Sequence, residues 1–508
     1  MSSSDRPANK KVTTGLFWCF SWRVVGEGIQ FMGGVYLARL LLPGDFGLVA
    51  MVTALTGCLM PLRNYSIPSA LVHEGSFDDE IFGSAFWFCF INCAIIAAGL
   101  FFAAPLIAHF YAEPQVAGLC RLAALGYVLG AAALCHRSLL VRNLDFRRHG
   151  VIETVGRTSN IGCSIVLALR GYGAWALAWG LLVEGVVSTV ATFVLAPRRV
   201  PWHFCVPRLK GLLRFGLPMT GGIAATQWTP NVSAAMIGGV AGPSSLGYFR
   251  KATGSSTLAI RHLVWSVTDV LFPCMAGREA DSPEVRDGTL KIARTMTILT
   301  WPACVGLVVV ADLFIVGVYG AKWAEAVGML RVLSVVAMLY AVQHQLITML
   351  WALGRTAQAM KINVGTAVLT WIGVWIGLRA GGAYGATLGF TGVACIQFAV
   401  LSGYLLCISA GSPVAYLVAF FPAALMSALM GAGVIAFRWW GITAGLPMIV
   451  QLLVCTVVGA ALYAALVLLW RPVAVADFVQ GVRAHFGHER TARIRWLGRL
   501  LDFLSRGR

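Results

Sequence analysis

The sequence predicts an all-α membrane protein of about fourteen transmembrane helices, arranged as two six-helix lobes related by a pseudo-twofold axis along the membrane normal, with two further C-terminal helices. Three observations predict it. Of 508 residues, 58% are apolar and only 12% are charged, with a mean hydropathy of +0.78. A soluble chain of this length would need more charge to cover its surface. Apolar stretches of about 20 residues, each able to cross a ~30 Å hydrocarbon core, recur from Thr13 to Trp470. Finally, a shift of 200 residues lays one part of the chain on another.

In order, the expected spans are 13–37, 46–62, 83–109, 115–136, 151–169, 174–195, 214–240, 246–275, 291–316, 325–351, 362–378, 382–407, 413–437 and 446–470. The 56 glycines suit helices that pack closely or bend in lipid. Basic residues orient the spans. One side holds twenty-seven, among them Arg63, Arg137, Arg142, Arg147, Arg148 and the eight arginines after Trp470; the other holds Arg39, Arg170, Lys322, Arg379 and Arg438. The positive-inside rule then places both termini in the cytoplasm. The net charge of +18 reflects this orientation, and no nucleic-acid partner is expected. The thirteen cysteines are scattered without CxxC or ligand spacing, so packing is expected and no metal site. The first apolar run, about 25 residues, exceeds the h-region of a cleavable signal peptide.

The 200-residue shift brings LARLLLPGDFGLVAM (37–51) onto IGGVAGPSSLGYFRK (237–251), with Pro43 on Pro243 and Gly47 on Gly247. Farther on, LCRLAALG resembles MLRVLSVV, placing Arg121 opposite Arg331, and PLIAHFYAEP resembles DLFIVGVYGAKW. These matches occur in order. They divide the chain into a cytoplasmic start (1–12), a first lobe (13–196), a basic loop (197–213), a second lobe (214–408), two appended spans (409–470) and a basic tail (471–508). Six spans per copy is an even number, so both copies keep one orientation, the parallel-repeat plan of many secondary transporters. In the tail, Ile494, Leu497, Leu501 and Leu504 are spaced for one face of an amphipathic helix on the inner leaflet.

Ionised side chains inside these spans are the strongest site markers, since each costs at least ~2.5–3.5 kcal/mol at the bilayer centre. Span 1 carries Arg23 near the midplane, then Glu27, Gln30 and Gly34 on the same face. Span 5 repeats the stripe with reversed signs as Glu153, Arg157, Asn160 and Ser164. Span 6 adds Glu184, and span 8 carries Arg250, Lys251, Arg261 and Asp269. The i,i+4 pairs Arg23–Glu27 and Glu153–Arg157 also fit neutralising pairs that only lower insertion cost, though such a pair would be cheaper still if replaced by apolar residues. None of the seven lysines follows a glycine, so the chain has no phosphate loop for ATP.

The stretches LARLLLPGDFGLVAMV, SIPSALVHEGSFDDEIFGSAFWF, RNLDFRRHGVIETVGR and VVVADLFIVGVYGAKWAEAVGMLRVLSVV resemble the polysaccharide transporter branch of the multidrug/oligosaccharidyl-lipid/polysaccharide exporter superfamily, the Wzx-type flippases. The resemblance runs from about Thr13 to Trp351. It implies a two-lobed bundle in the bacterial inner membrane that moves undecaprenyl-pyrophosphate-linked oligosaccharide from the cytoplasmic to the periplasmic leaflet by alternating access, working beside a polysaccharide polymerase and chain-length or export machinery.

On that reading the intramembrane cations form a cleft for pyrophosphate, since guanidinium binds phosphate oxygens bidentately. The residues expected to line it are Arg23, Arg261, Arg157, Arg250 and Lys251, with Gln30 and Asn160. No cofactor is expected; Glu27, Glu184 and Asp269 are the expected sites for coupling to a proton or sodium gradient. The chain is expected not to be an enzyme. The competing expectations are a peptidoglycan-precursor flippase, a drug or metabolite antiporter of the same superfamily, and, with less support, a polysaccharide polymerase or ligase.

Overall fold

A computed structural model describes Trp22 and residues 25–473, apart from 66, 74–77, 144, 197–199, 203, 276–277, 410, 441–444 and 471. The described residues are helical almost throughout, in the order that hydropathy predicts. Helix α1 occupies 25–40. It is followed by α2 (Pro43–Asn64), the short α3 (Ile67–His73), α4 (Asp79–Tyr111), α5 (Gln115–Arg142), α6 (Phe146–Leu169) and α7 (Ala174–Leu195). Next come α8 (Val206–Met275), α9 (Pro283–Val309), α10 (Ala311–Phe314), α11 (Ala326–Ala352), α12 (Thr356–Ile408), α13 (Pro413–Trp439) and α14 (Met448–Trp470).

Two of these are pairs of spans joined without a loop. Helix α8 turns at Gly242 (φ 80°), and α12 turns at Gly381 and Gly382 (φ 59° at the latter). A positive φ is costly for any side chain with a Cβ, so glycine marks each reversal. With these breaks each expected span holds a long helical segment among the described residues, the start of the first span, 13–21, lying outside them. Nine of the described helices are long and apolar enough to cross a membrane on length and composition.

Helix starts follow local chemistry. Asp78 accepts from the Ile81 amide at 2.8 Å, Asp145 from Arg148 at 3.1 Å, and Ser282 and Ser412 from Val285 and Ala415 at 3.4 Å. Each satisfies an amide that the first helical turn leaves without a partner. Several helices outrun their apolar cores. The span expected at 115–136 continues to Arg142, and the one expected at 46–62 continues to Asn64, so Arg63, Arg137 and Arg142 are helical.

Packing divides the chain into two compact units, residues 1–247 and 248–508. In the first, Phe82, Phe86, Cys89, Cys135 and Leu212 form a buried core between α4, α5 and the start of α8. The first limb of α8 belongs to this unit: Trp228 donates its indole N–H to the Cys58 carbonyl at 2.8 Å, and Asn231 fills the space left by Gly57. The packing division falls after the first limb of α8. In the second unit, Met296, Val342, Leu346, Leu401, Tyr416 and Phe420 join α9, α11, α12 and α13 in one core.

At the edge of the second unit, Arg438 of α13 forms a forked pair with Asp312 (2.6 and 3.2 Å) and donates to the Val309 carbonyl at 2.9 Å. Arg331 of α11 approaches the same carboxylate at 3.8 Å. Three elements are thus tied at one acid.

Candidate functional site

The polar residues of the first unit come together because α6 and α7 touch at small residues. A methyl group on Gly180 would lie 2.0 Å from the Ser164 hydroxyl, and one on Gly156 would lie 2.0 Å from that of Ser188. At this separation Asn160 reaches across and donates to Glu184 at 2.7 Å, while Ser164 donates to Asn160 at 3.1 Å. One turn earlier on α6, Arg157 stands between two acids, 3.9 Å from Glu27 of α1 and 3.7 Å from Glu153. Four of the residues singled out from sequence, Glu27, Arg157, Asn160 and Glu184, therefore share one polar row. Gln30 is exposed on α1. Arg23 lies outside the described residues.

Beside this row, α2, α5 and α7 enclose a cavity of 530 Å³. Arg63 enters from the last turn of α2, Arg137 and Tyr127 from α5, and Glu184 from α7. The Arg63 guanidinium lies over the Tyr127 ring, 5.2 Å from its centre, and the tyrosine hydroxyl donates to the Thr56 carbonyl. Arg137 donates from Nε to the Thr192 hydroxyl at 3.4 Å.

Sequence reading missed Arg63 and Arg137, because cations near span ends are the ordinary markers of orientation. One signal did exist. Gly126, Gly130 and Arg137 fall on one face of α5 with Tyr127 beside them, a spacing that clears room for a cation beneath an aromatic ring.

In the second unit, Lys251 of α8 is enclosed by aromatic rings. Its ammonium lies 4.1 Å from the centre of Tyr319 and 5.6 Å from that of Trp323. The Tyr319 hydroxyl is fixed against Ser255 at 3.2 Å, and Tyr319 ends a π-helical turn, Ile315–Tyr319. Arg250, next along α8, is half-buried and Arg261 is exposed. Asp269 is helical, but its side chain lies outside what is described. The buried amides of α11 are used in packing: Gln343 donates to the Ala394 carbonyl and Gln345 to that of Val264, each at 2.7 Å.

A second cavity, of 790 Å³, lies between α9, α13 and α14, lined by residues such as Pro302, Gly306, Met430, Leu452, Gly459 and Tyr463. Tyr463 directs its hydroxyl to the Ile298 carbonyl at 2.7 Å, which leaves this lining almost wholly hydrocarbon.

A family described as polysaccharide biosynthesis protein matches residues 36–328, more than half of the chain. The chain belongs to that family. Among curated proteins it is similar to the lipopolysaccharide biosynthesis protein WzxC of Escherichia coli, 25% identical over 75% of this chain and 78% of the relative. It is also similar to the succinoglycan biosynthesis transport protein ExoT of Rhizobium meliloti, 27% identical over 91% and 93%. Among solved structures, the lipid II flippase MurJ in an inward-closed conformation shares the fold, with a TM-score of 0.72 over 88% of this chain and 98% of that one at 14% identity.

For a polysaccharide biosynthesis protein with the relatives and fold found here, the site offers three kinds of chemistry. The guanidinium groups of Arg63, Arg137 and Arg157 offer forked donors of the kind that pair with anions. The Asn160–Glu184 pair places a carboxylate beside a neutral donor. The apolar cavity between α9, α13 and α14 accepts hydrocarbon and excludes polar groups, since each unpaired polar group placed there would cost several kcal/mol, about 2–7.

Proposed function

We propose that the protein is a flippase that carries polyprenyl-pyrophosphate-linked oligosaccharide units from the cytoplasmic to the periplasmic leaflet by alternating access, for export of a surface polysaccharide. The observation that carries this reading is the row of charged and amide side chains inside otherwise apolar helices, Glu27, Arg157, Asn160 and Glu184. Holding such groups within the membrane is expensive, and it is repaid where they line a path for a charged cargo. Family membership and the names of the relatives support a lipid-linked saccharide as that cargo. The fold shared with MurJ supports movement between two access states. Short connections on the periplasmic side, such as 41–42 and 170–173, favour transport over a polymerase or ligase.

The cation set that meets the substrate is Arg23, Arg157, Arg250, Lys251 and Arg261, with Gln30 and Asn160 offering hydrogen bonds to sugar hydroxyls. Glu27, Glu184 and Asp269 are the groups through which a proton or sodium gradient drives the cycle, and both termini face the cytoplasm. A polysaccharide polymerase and chain-length machinery act on the product.

Reconstitution in vesicles with a fluorescent polyprenyl-pyrophosphate glycan tests the reading. Protein-dependent movement of the label to the opposite leaflet is expected, with loss in Arg23→Ala and Arg261→Ala at unchanged insertion. No movement by the wild-type protein overturns the flippase, and normal movement in both variants overturns their place in the cleft. A peptidoglycan-precursor flippase is the second reading, on the fold match to MurJ, and rescue of a cell depleted of that activity selects it.

A further inference from the structure

The cavity between α2, α5 and α7 contains two cations that the proposed cycle does not use. Arg63 and Arg137 both line it, and neither forms a salt bridge with a carboxylate among the described residues. Glu184, the acid in the same lining, is engaged by Asn160 at 2.7 Å, and Glu153 is shared with Arg157. The Nε of Arg63 is buried with no hydrogen-bond partner among the described residues. Among the described residues Arg137 makes one hydrogen bond, the long contact to Thr192 at 3.4 Å, and Glu153 and Glu184 attract it through space.

Sequestered guanidinium groups are ordinarily paired, because desolvation costs several kcal/mol per unpaired ion. Two of them open on one cavity whose lining holds a single carboxylate, Glu184, so the lining carries one positive charge in excess. The cavity is also shaped for them. A methyl group on Gly130 would lie 2.5 Å from Nη2 of Arg63, so the absent side chain clears the seat of that guanidinium. Tyr127 supports its face, leaving the N–H edge to bind. At 530 Å³ the space lies within the range of small-molecule sites, about 300–1,000 Å³.

We propose that Arg63 and Arg137 form a phosphoryl-anion site inside the first unit's own helices, beside the row at Arg157 with which it shares Glu184, and that this site holds the phosphate ester of a lipid-linked molecule. A diphosphate fits the two forks best, since each guanidinium can take two oxygens of one phosphate. This rests on the flippase reading for its cargo and on geometry alone for the anion. Arg63 lies in the last turn of α2 and Arg137 five residues before the end of α5, helix ends that the charge distribution assigns to the cytoplasmic side. The site is therefore where a headgroup made in the cytoplasm first meets buried cations.

Inorganic pyrophosphate, titrated calorimetrically into the purified full-length protein in detergent, tests the site. Saturable binding is expected. It should weaken about tenfold or more in Arg63→Gln and in Arg137→Gln, and persist in Arg379→Gln, an exposed cation stacked on Trp375. Gly130→Val should abolish it while both charges remain. Equal binding by the wild type and the Arg63→Gln/Arg137→Gln double variant overturns the proposal, as does no binding by the wild type. Arg63→Lys, which keeps charge and fold but loses the planar fork, guards against misfolding and should retain weak binding.

Competition identifies the source. Displacement of pyrophosphate by undecaprenyl diphosphate assigns the site to cargo, and displacement by phosphatidylglycerol alone assigns it to a membrane headgroup. Displacement by neither overturns a lipid-linked ligand. If the vesicles flip glycan normally while the double variant binds pyrophosphate like the wild type, the site falls and the flippase stands. If no glycan moves but pyrophosphate binding follows the two arginines, the reverse holds.

Discussion

Gly47 lies against the carbonyl of Pro243, and Gly247, 200 residues on, lies against the carbonyl of Pro43. A methyl group added to Gly47 would sit 1.7 Å from the Pro243 oxygen, and one added to Gly247 would sit 2.1 Å from the Pro43 oxygen. The contact is reciprocal, as at an isologous interface, where residue i meets j and j meets i. Here the two partners are sequence repeats within one compact unit. The start of α2 and the start of the second limb of α8 meet backbone to backbone.

Alanine at either glycine should therefore force the two helix starts apart. We expect Gly47→Ala and Gly247→Ala each to cost about 3 kcal/mol, the upper part of the usual overpacking range, seen as a lower thermal midpoint in detergent. Because both methyl groups would open the same gap, the double variant should cost less than the two losses added together. Gly28→Ala, with nothing within 4 Å of the new methyl, serves as the control and should not destabilise. Equal midpoints for Gly28→Ala and Gly47→Ala would show that the contact yields freely.

Pro43, Gly47, Pro243 and Gly247 also mark how far sequence reaches. Their register was legible, because a turn needs proline and glycine at fixed places, and so were the spans, because crossing lipid demands a fixed length of apolar chain. That the repeats touch was not legible. Depth along a helix follows from counting residues, but the direction in which a side chain points depends on which helix lies beside it. For this reason Arg63 and Arg137 read as loop charges near span ends, whereas neighbouring helices turn them into a cavity. Lys251 likewise reads as an intramembrane cation, and only the return of the chain at Tyr319 and Trp323 encloses it in rings.

Arg157 stands between Glu27 and Glu153 at distances long enough to share its charge with a third anion. Arg157→Ala should reduce glycan movement severely and leave Glu153 without its guanidinium neighbour. Adding Glu153→Gln removes that charge and leaves Glu27 in place. If Arg157 is only a counter-ion, the double variant should recover transport; if it meets the substrate, stability should recover while transport remains lost. We expect the second outcome, read from vesicle flux alongside the thermal midpoint.

Asp312 holds α13 through Arg438 and also faces Arg331. Asp312→Ala leaves two like charges without their common acid. The pair is partly exposed, with side-chain accessibilities of 28% for Arg438 and 37% for Asp312, so solvent moderates the loss to about 1–2 kcal/mol. Arg331→Ala, which removes only the 3.8 Å contact, should cost less than Arg438→Ala, which removes the fork and the bond to Val309. The order of thermal midpoints among the three variants checks the clamp.

Glu184 distinguishes a coupling role from a structural one, because it has a defined partner. In Glu184→Gln the amide oxygen still accepts from Asn160, so the α6–α7 contact survives, but the side chain no longer exchanges a proton or neutralises a cation. Glu184→Ala removes the acceptor and leaves Asn160 unsatisfied, at a cost of about 1–3 kcal/mol. If Glu184 couples transport to an ion gradient, the glutamine variant should keep its thermal midpoint while gradient-driven glycan flux falls to the level that an ionophore leaves in the wild type. If Glu184 only packs α6 on α7, Glu184→Gln should transport normally and Glu184→Ala should lose flux in proportion to folded protein. Initial rates in vesicles with an imposed proton gradient, then an imposed sodium gradient, separate these outcomes and identify the ion.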